Sequence, residues 1–237
     1  MIKFTIDGVE VEAEEGQNVL QVALDNGFDI PHLCYHEALE PYGACRLCQV
    51  EVTKGNRTSL TTSCNYPALE GIDVQTSTDK VNKARKMVIE LLLSRSPNVP
   101  VLKELAEEYS VGDPRFKLGD DDCILCGLCE RVCREVVGVE AISFLGRGSD
   151  RKVGPPLGIN PQTCIGCGAC AYVCPADCIK IEENENERTI VRWGRTLPMK
   201  KCKVCGRSFA PWFQLSYFDK ITEGIPKDFW EKCPDCR

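Results

Sequence analysis

Histidine is nearly absent from this chain: there are two, His32 and His36, in 237 residues. A Rieske centre needs two histidines on one iron. Cys34-Tyr35-His36 offers one Cys-x-His step, but the pair Cys45 and Cys48 has no histidine beside it, which argues against that centre. Long apolar runs are missing too. The longest, Met87 to Leu93, is interrupted by Glu90, so no membrane span is expected. No G-x-x-x-x-G-K-[ST] loop occurs, and no G-x-G-x-x-G follows a strand, so no nucleotide, dinucleotide or flavin fold is visible. With a formal charge of −6 the chain lacks the basic footprint of a nucleic-acid binder. The opening Met-Ile-Lys-Phe-Thr-Ile-Asp-Gly has no basic n-region and no apolar h-region. A reducing, cytoplasmic setting is expected.

Cysteine, by contrast, is abundant, with 17 copies, and they fall into metal-ligand spacings rather than scattered singles. Cys123, Cys126, Cys129 and Cys133 follow C-x2-C-x2-C-x3-C, and Cys164, Cys167, Cys170 and Cys174 repeat it with Pro175 next. That run belongs to proteins with two cubane clusters, in which the fourth cysteine of each run ligates the other cluster. The expected sets are therefore Cys123, Cys126, Cys129 and Cys174 for one [4Fe–4S] cluster, and Cys133, Cys164, Cys167 and Cys170 for the second. Two zinc sites are the weaker reading, because structural zinc uses paired knuckles rather than four-cysteine runs.

Further cysteines stand at C-x10-C-x2-C-x15-C: Cys34, Cys45, Cys48 and Cys64. A tight pair with a distant fourth ligand suits a plant-type [2Fe–2S] site, although its usual first gap is shorter. Around it, residues 1 to 12 alternate about an Asp7-Gly8 turn and read as a hairpin. Asn18 can cap a helix carrying Val19, Leu20, Ala23 and Leu24, which Asn26-Gly27 closes. Cys48 to Thr53 alternates as a strand, and Val74 sits in another.

Residues 79 to 95 read as a helix capped by Thr78 or Asp79, with Val81, Ala84, Arg85, Val88, Leu91 and Leu92 as its stripe. A second helix over 101 to 109 turns Leu102, Leu105 and Ala106 inward. Asp120 to Asp122 read as a solvated turn before the first cubane run. In the insert between the runs, Ala141 to Leu145 looks like a strand, as do Ile179 to Ile181 and Thr189 to Trp193 later. Cys178 stands outside every set of four and reads as a small buried hydrophobe.

The tail carries Cys202-x-x-Cys205-Gly206 and Cys233-Pro-Asp-Cys236, a zinc-ribbon or rubredoxin-like pair of knuckles. Zinc is the expected metal, with iron as its rival. Phe209, Trp212, Phe213, Phe218 and Trp230 are expected to cover it. The fold class that follows is α+β. It comprises a β-grasp [2Fe–2S] domain over 1–78, a helical linker over 79–118, a 2[4Fe–4S] ferredoxin-like domain with an insert over 119–200, and a four-cysteine knuckle over 201–237.

The order of these parts, the run from Asp122 to Gly138 and the helix Arg85 to Leu93 resemble the iron–sulfur subunits of NADH-linked oxidoreductases. These include the N-terminal part of the complex I large iron–sulfur subunit, the diaphorase iron–sulfur subunit of bidirectional hydrogenases, and the start of iron-only hydrogenases. The resemblance covers roughly residues 1 to 183. It implies an electron-relay subunit without a substrate site of its own, between a flavin NAD(H)-binding subunit and a hydrogenase or formate dehydrogenase catalytic subunit. Two departures stand out. Residues 94 to 122 hold no histidine or cysteine, so the His/Cys-ligated cubane of many members is expected to be absent. The C-terminal knuckle is not part of complex I's pattern and suggests a specialised complex, electron-bifurcating types included. The competing functions are a free-standing multi-cluster ferredoxin-type carrier and, from another class, a zinc-binding interaction protein.

Overall fold

The Asp7-Gly8 step sets the start of the fold. Both residues take left-handed backbone angles, φ 50° and 81°, the turn that matches the twist of two strands. The computed structural model describes residues 1–237 and divides into two compact units, Met1–Gly127 and Leu128–Arg237.

In the first unit, β1 (Ile2–Ile6) pairs antiparallel with β2 (Val9–Ala13). Helix α1 (Val19–Asp25) is capped by Asn18, whose side chain accepts from the Gln21 N–H at 2.9 Å. Strands β3 (Gln49–Lys54), β4 (Arg57–Thr62) and β5 (Asp73–Gln75) complete a five-stranded sheet in the order β2-β1-β5-β3-β4. The contact of β1 with β5 is parallel and the others are antiparallel. Phe4, Ile6, Val11, Val50, Val52 and Val74 on the sheet share one buried cluster with Val19, Leu20, Val22 and Ala23 of α1. Cys48 and Cys64 belong to that same cluster.

Helix α2 (Asp79–Arg95) has the bounds read from the sequence and starts at Thr78, whose hydroxyl accepts from the Val81 N–H at 3.2 Å. Its buried face differs from the expected stripe. Val81, Arg85, Ile89, Glu90, Leu93 and Ser94 are buried, whereas Leu91 is 43% exposed. Polar groups can face inward because each finds hydrogen-bond partners. Arg85 donates to the Gln49 carbonyl at 2.7 Å and to the Tyr109 hydroxyl at 3.1 Å, Glu90 receives Arg115, and the Ser94 hydroxyl donates to the Glu90 carbonyl. Helix α3 (Pro100–Glu108) begins with proline at its first position and buries Leu102, Leu105 and Ala106 as expected.

The second unit has shorter elements. Helix α4 (Leu128–Arg131) runs into a π-turn over Val132–Val136. Strands β6 (Ser143–Leu145) and β7 (Lys152–Gly154) form a small hairpin, and helix α5 (Ala169–Tyr172) lies in the second cysteine run. Then β8 (Ile181–Glu183), β9 (Glu187–Ile190), β10 (Arg195–Lys201) and β11 (Ser208–Pro211) make a four-stranded sheet in the order β11-β10-β9-β8. Helix α6 (Trp212–Ile221) follows. Strand β10 alternates cleanly, with Arg195, Leu197 and Met199 buried and Thr196 and Pro198 exposed. No helix is long and apolar enough to cross a membrane.

Candidate iron–sulfur and metal sites

No disulfide joins any of the 17 cysteines. Those at 34, 45, 48 and 64 are all buried, between 1% and 6% exposed. Cys34 and Cys45 lie on one loop, Cys48 immediately precedes β3, and Cys64 sits in a helical turn after β4. The sequence brings them together because β3 and β4 are register partners, Gln49 opposite Thr62, which sets Cys48 against the turn holding Cys64. The Cys45 N–H donates to Cys34 Sγ at 3.4 Å. A hydrogen bond from Cys34 holds the Cys45 thiol down at about 6, and one from Cys64 holds Cys48 at about 7. Cys34 and Cys64 are pushed up by those same bonds and by burial. Four sequestered sulfurs, two of them poised as thiolates, are the donor set a two-iron centre requires. Gly43 matters here: a Cβ on it would lie 2.5 Å from Asn65 Nδ2, so only glycine lets the loop close over Asn65. His32 and His36 are tied to their own loop, His32 Nδ1 to the Ile30 carbonyl and His36 Nδ1 to the Ala38 N–H.

The two cubane runs share a backbone signature that spacing alone does not reveal. Leu125 and Gly127 have φ 54° and 79°, and their counterparts Gly166 and Gly168 have φ 72° and 81°. Alternating left- and right-handed residues turn successive N–H groups toward one concavity, which binds anions and sulfide clusters. Leu125 holds this conformation without glycine's freedom, a cost of about 1–3 kcal/mol that the cysteine loop must offset.

Cys133, Cys164, Cys167 and Cys170 line one small cavity with Ile142, Ile190 and Trp193. Each sulfur has a donor or an apolar wall. The Ala141 N–H donates to Cys133 Sγ at 3.3 Å, and the Trp193 indole N–H to Cys170 Sγ at 3.5 Å. The Gly166 and Ala169 N–H groups serve Cys164 and Cys167. Burial pushes the Cys170 thiol up to about 12, so a bare cavity favours protonated sulfur there and a cationic metal group would reverse that. The crossed set expected for the second cubane is thus gathered around one volume. Of the other set, Cys123 and Cys126 lie in the first unit, where the Ser96 hydroxyl donates to the Cys123 carbonyl at 3.2 Å. Cys129 is on α4 and Cys174 follows α5 in the second unit. Cys174 Sγ lies 3.5 Å from Cys178 Sγ, a neighbour that the reading of Cys178 as a plain hydrophobe did not foresee.

Cys202, Cys205, Cys233 and Cys236 converge with their ligand atoms all within 4.8 Å of one another. The Cys233 N–H donates to Cys202 Sγ at 3.3 Å, and backbone N–H groups of Cys205 and Cys233 hold the Cys202 thiol down at about 6. Arg207 lies 3.6 Å from Cys233 Sγ and pairs with Asp235. The aromatic cover is thinner than expected. Phe218 and Trp230 stack at 6.4 Å, but Trp212 is 52% and Phe213 40% exposed.

Residues 1–79 match the 2Fe-2S iron–sulfur cluster binding domain family, and residues 157–180 match the 4Fe-4S binding domain family. An NADH-quinone oxidoreductase subunit of Rickettsia prowazekii is 34% identical over 178 residues, 65% of this chain and 26% of that protein. The NADPH-Fe(3+) oxidoreductase subunit alpha of Geobacter sulfurreducens is 32% identical over 200 residues, 74% of this chain and 23% of that one. The chain is an iron–sulfur protein related to these oxidoreductase subunits. It spans about a quarter of the length of these curated relatives. A crystallised NAD+-reducing [NiFe]-hydrogenase in its H2-reduced state is also similar, with TM-score 0.58 and 28% identity over 65% of this iron–sulfur protein and 75% of that chain.

The spacing alone did not give Trp193, Arg188 and Arg195, which reach the second cysteine run from 14 or more residues beyond its last cysteine. Arg188 donates to the Gly166 carbonyl at 3.0 Å and Arg195 to the Cys164 carbonyl at 3.1 Å. The signal available was the cationic and aromatic content of Arg188, Arg192, Trp193 and Arg195, a short basic stretch in an acidic chain.

Proposed function

We propose that this chain relays single electrons between the subunits of a larger NAD(H)-linked oxidoreductase. A [2Fe–2S] centre would be held by Cys34, Cys45, Cys48 and Cys64, one [4Fe–4S] centre by Cys123, Cys126, Cys129 and Cys174, and a second by Cys133, Cys164, Cys167 and Cys170. When bound, such centres take up and release one electron at a time at low potential. The protein's own part is to exclude water by burial and to stabilise the sulfurs with N–H donors. The observation that carries the reading is the meeting of Cys133 with Cys164, Cys167 and Cys170 on one apolar-walled cavity, across a gap of 30 residues. Cys202, Cys205, Cys233 and Cys236 would hold zinc in a closed four-thiolate site with a structural role.

Cys64 lines an open depression with Tyr35, Leu39, Pro41 and Pro67, which suits the approach of a flavin subunit that handles NAD(H). A hydrogenase or formate dehydrogenase catalytic subunit would receive or supply the electrons from the cubane end. The names of the relatives, which pair NADH or NADPH with a quinone or ferric iron, support an electron-relaying role in the complex. The test is anaerobic purification with native neighbours. The expected preparation is brown, holds about ten irons per chain, shows reduced-cluster resonances after dithionite and co-purifies with a flavoprotein. A colourless chain with far fewer irons overturns the reading, and a brown chain that always elutes alone reassigns it to a free-standing carrier.

A further inference from the structure

The C-terminal knuckle and the second cubane cavity are mechanically one piece. Strand β10 begins at Arg195, whose guanidinium holds the Cys164 carbonyl at 3.1 Å and the Gln162 carbonyl at 3.1 Å, and it ends at Lys201, immediately before Cys202. Gly166, inside the cysteine loop, is pressed against that sheet. A Cβ there would lie 2.6 Å from Leu197 Cδ1 of β10 and 3.2 Å from Pro211 Cγ of β11. Helix α6 reaches the other wall: the Tyr217 hydroxyl donates to the Val137 carbonyl at 2.9 Å, four residues beyond Cys133. The Arg195 guanidinium lies 5.6 Å from the centre of the Phe213 ring, also on α6.

The tail has little core of its own. Beyond residue 201 the buried side chains are Cys202, Ala210, Pro211, Leu215 and Cys233, which is a small core for 36 residues. Segments of this size without an adequate core are held by metal ligation, and ligand binding is then folding free energy.

We propose that metal in the Cys202/Cys205/Cys233/Cys236 site braces the second cubane site, by fixing the Arg195, Pro211 and Tyr217 contacts that hold the Cys164–Cys170 loop and the Val137 segment. The inference rests on the ligand sets given under the proposed function. It assigns the tail a role inside the chain rather than a passive one.

The experiment uses the full chain, purified anaerobically with its partners. Cys205→Ser and Cys236→Ser are compared with the unaltered protein for zinc, for iron, and for the reduced spectra of the two-iron and four-iron centres separately. The two-iron centre, built in the first unit, reports on whether that unit has folded. The expected result is loss of zinc together with about four of about ten irons, while the two-iron signal stays. Full retention of both cubanes after zinc is lost overturns the inference. If the serine variants lose the two-iron signal as well, Tyr217→Phe decides. It keeps every cysteine, and it is expected to speed chelator-driven loss of four irons at least threefold, with an unchanged rate overturning the proposal. An unaltered protein that holds no four-iron centre at all refutes the ligand assignment and not merely the brace.

Discussion

The two units hold their cysteines in different ways. In the first, the Cys34, Cys45, Cys48 and Cys64 sulfurs sit at the edge of an ordinary core, where eleven side chains of β1, β2, β3, β5 and α1 are buried to 3% exposure or less. In the second, Cys133, Cys164, Cys167 and Cys170 are only partly covered, and β6, β7 and β8 are three residues each. A fully buried aliphatic side chain contributes about 1.5–3 kcal/mol, so the first unit has a scaffold that can exist before its iron arrives. The second has few such side chains, and there the proposed inorganic groups would stand in for part of a core.

That contrast can be broken most directly by removing metal. Anaerobic chelation of all iron and zinc is expected to leave slow hydrogen exchange in β1, β3 and β5 and to abolish it throughout β8 to β11. Protection surviving equally in both units would erase the distinction. Next in size, Ile6→Ala in the fully buried core should cost about 2–5 kcal/mol in denaturant unfolding of the first unit, and it should leave the cubane spectra intact. A smaller effect is expected at Asn18, where alanine removes the acceptor for the Gln21 N–H; about 1 kcal/mol of the same transition should be lost.

Trp193→Phe keeps the ring wall of the cavity and deletes the N–H donated to Cys170. A hydrogen bond to a ligand sulfur stabilises the more negative, reduced state. The variant should lower the midpoint potential of one four-iron centre in a dithionite titration and leave the two-iron centre unmoved. The least perturbing probe is acid. The Arg115 guanidinium bonded to Glu90 holds that carboxylate down at about 2, below its usual 4.5. A depressed carboxylate stabilises the fold above its unfolded pKa and loses that contribution as pH falls. The first unit should therefore lose stability between about pH 4.5 and 2, and Glu90→Gln should flatten that part of the profile.

Much of the first unit was legible because its signals are local. Asp7-Gly8 at the turn and Asn18 and Thr78 at helix starts each act within four residues. Strand β4 was not, because Arg57-Thr-Ser-Leu-Thr-Thr62 has no apolar alternation; its inner face is made by partners rather than by sequence. The α2 stripe was misjudged for a related reason. Arg85 was in the expected stripe, but Glu90 looks like a surface residue until Arg115 pairs with it.

In the cysteine sites, spacing offered the proposed ligand groupings, but not their surroundings. Nothing near Cys170 in the chain announces that Trp193 will point a donor at it, and Pro198 disguises β10 as a loop although its missing N–H falls on an exposed position. Long-range donors and proline-bearing strands belong to the packed state, and a one-dimensional reading has no access to them.

Strand β10 spans seven residues, roughly 23 Å at the usual rise, from the guanidinium at Cys164 to the threshold of Cys202. A cell short of zinc would then make chains that look starved of iron, with one failed cubane despite an ample iron supply. Two nutrients would be read out through one short ribbon of polypeptide, and added zinc would restore the lost iron colour.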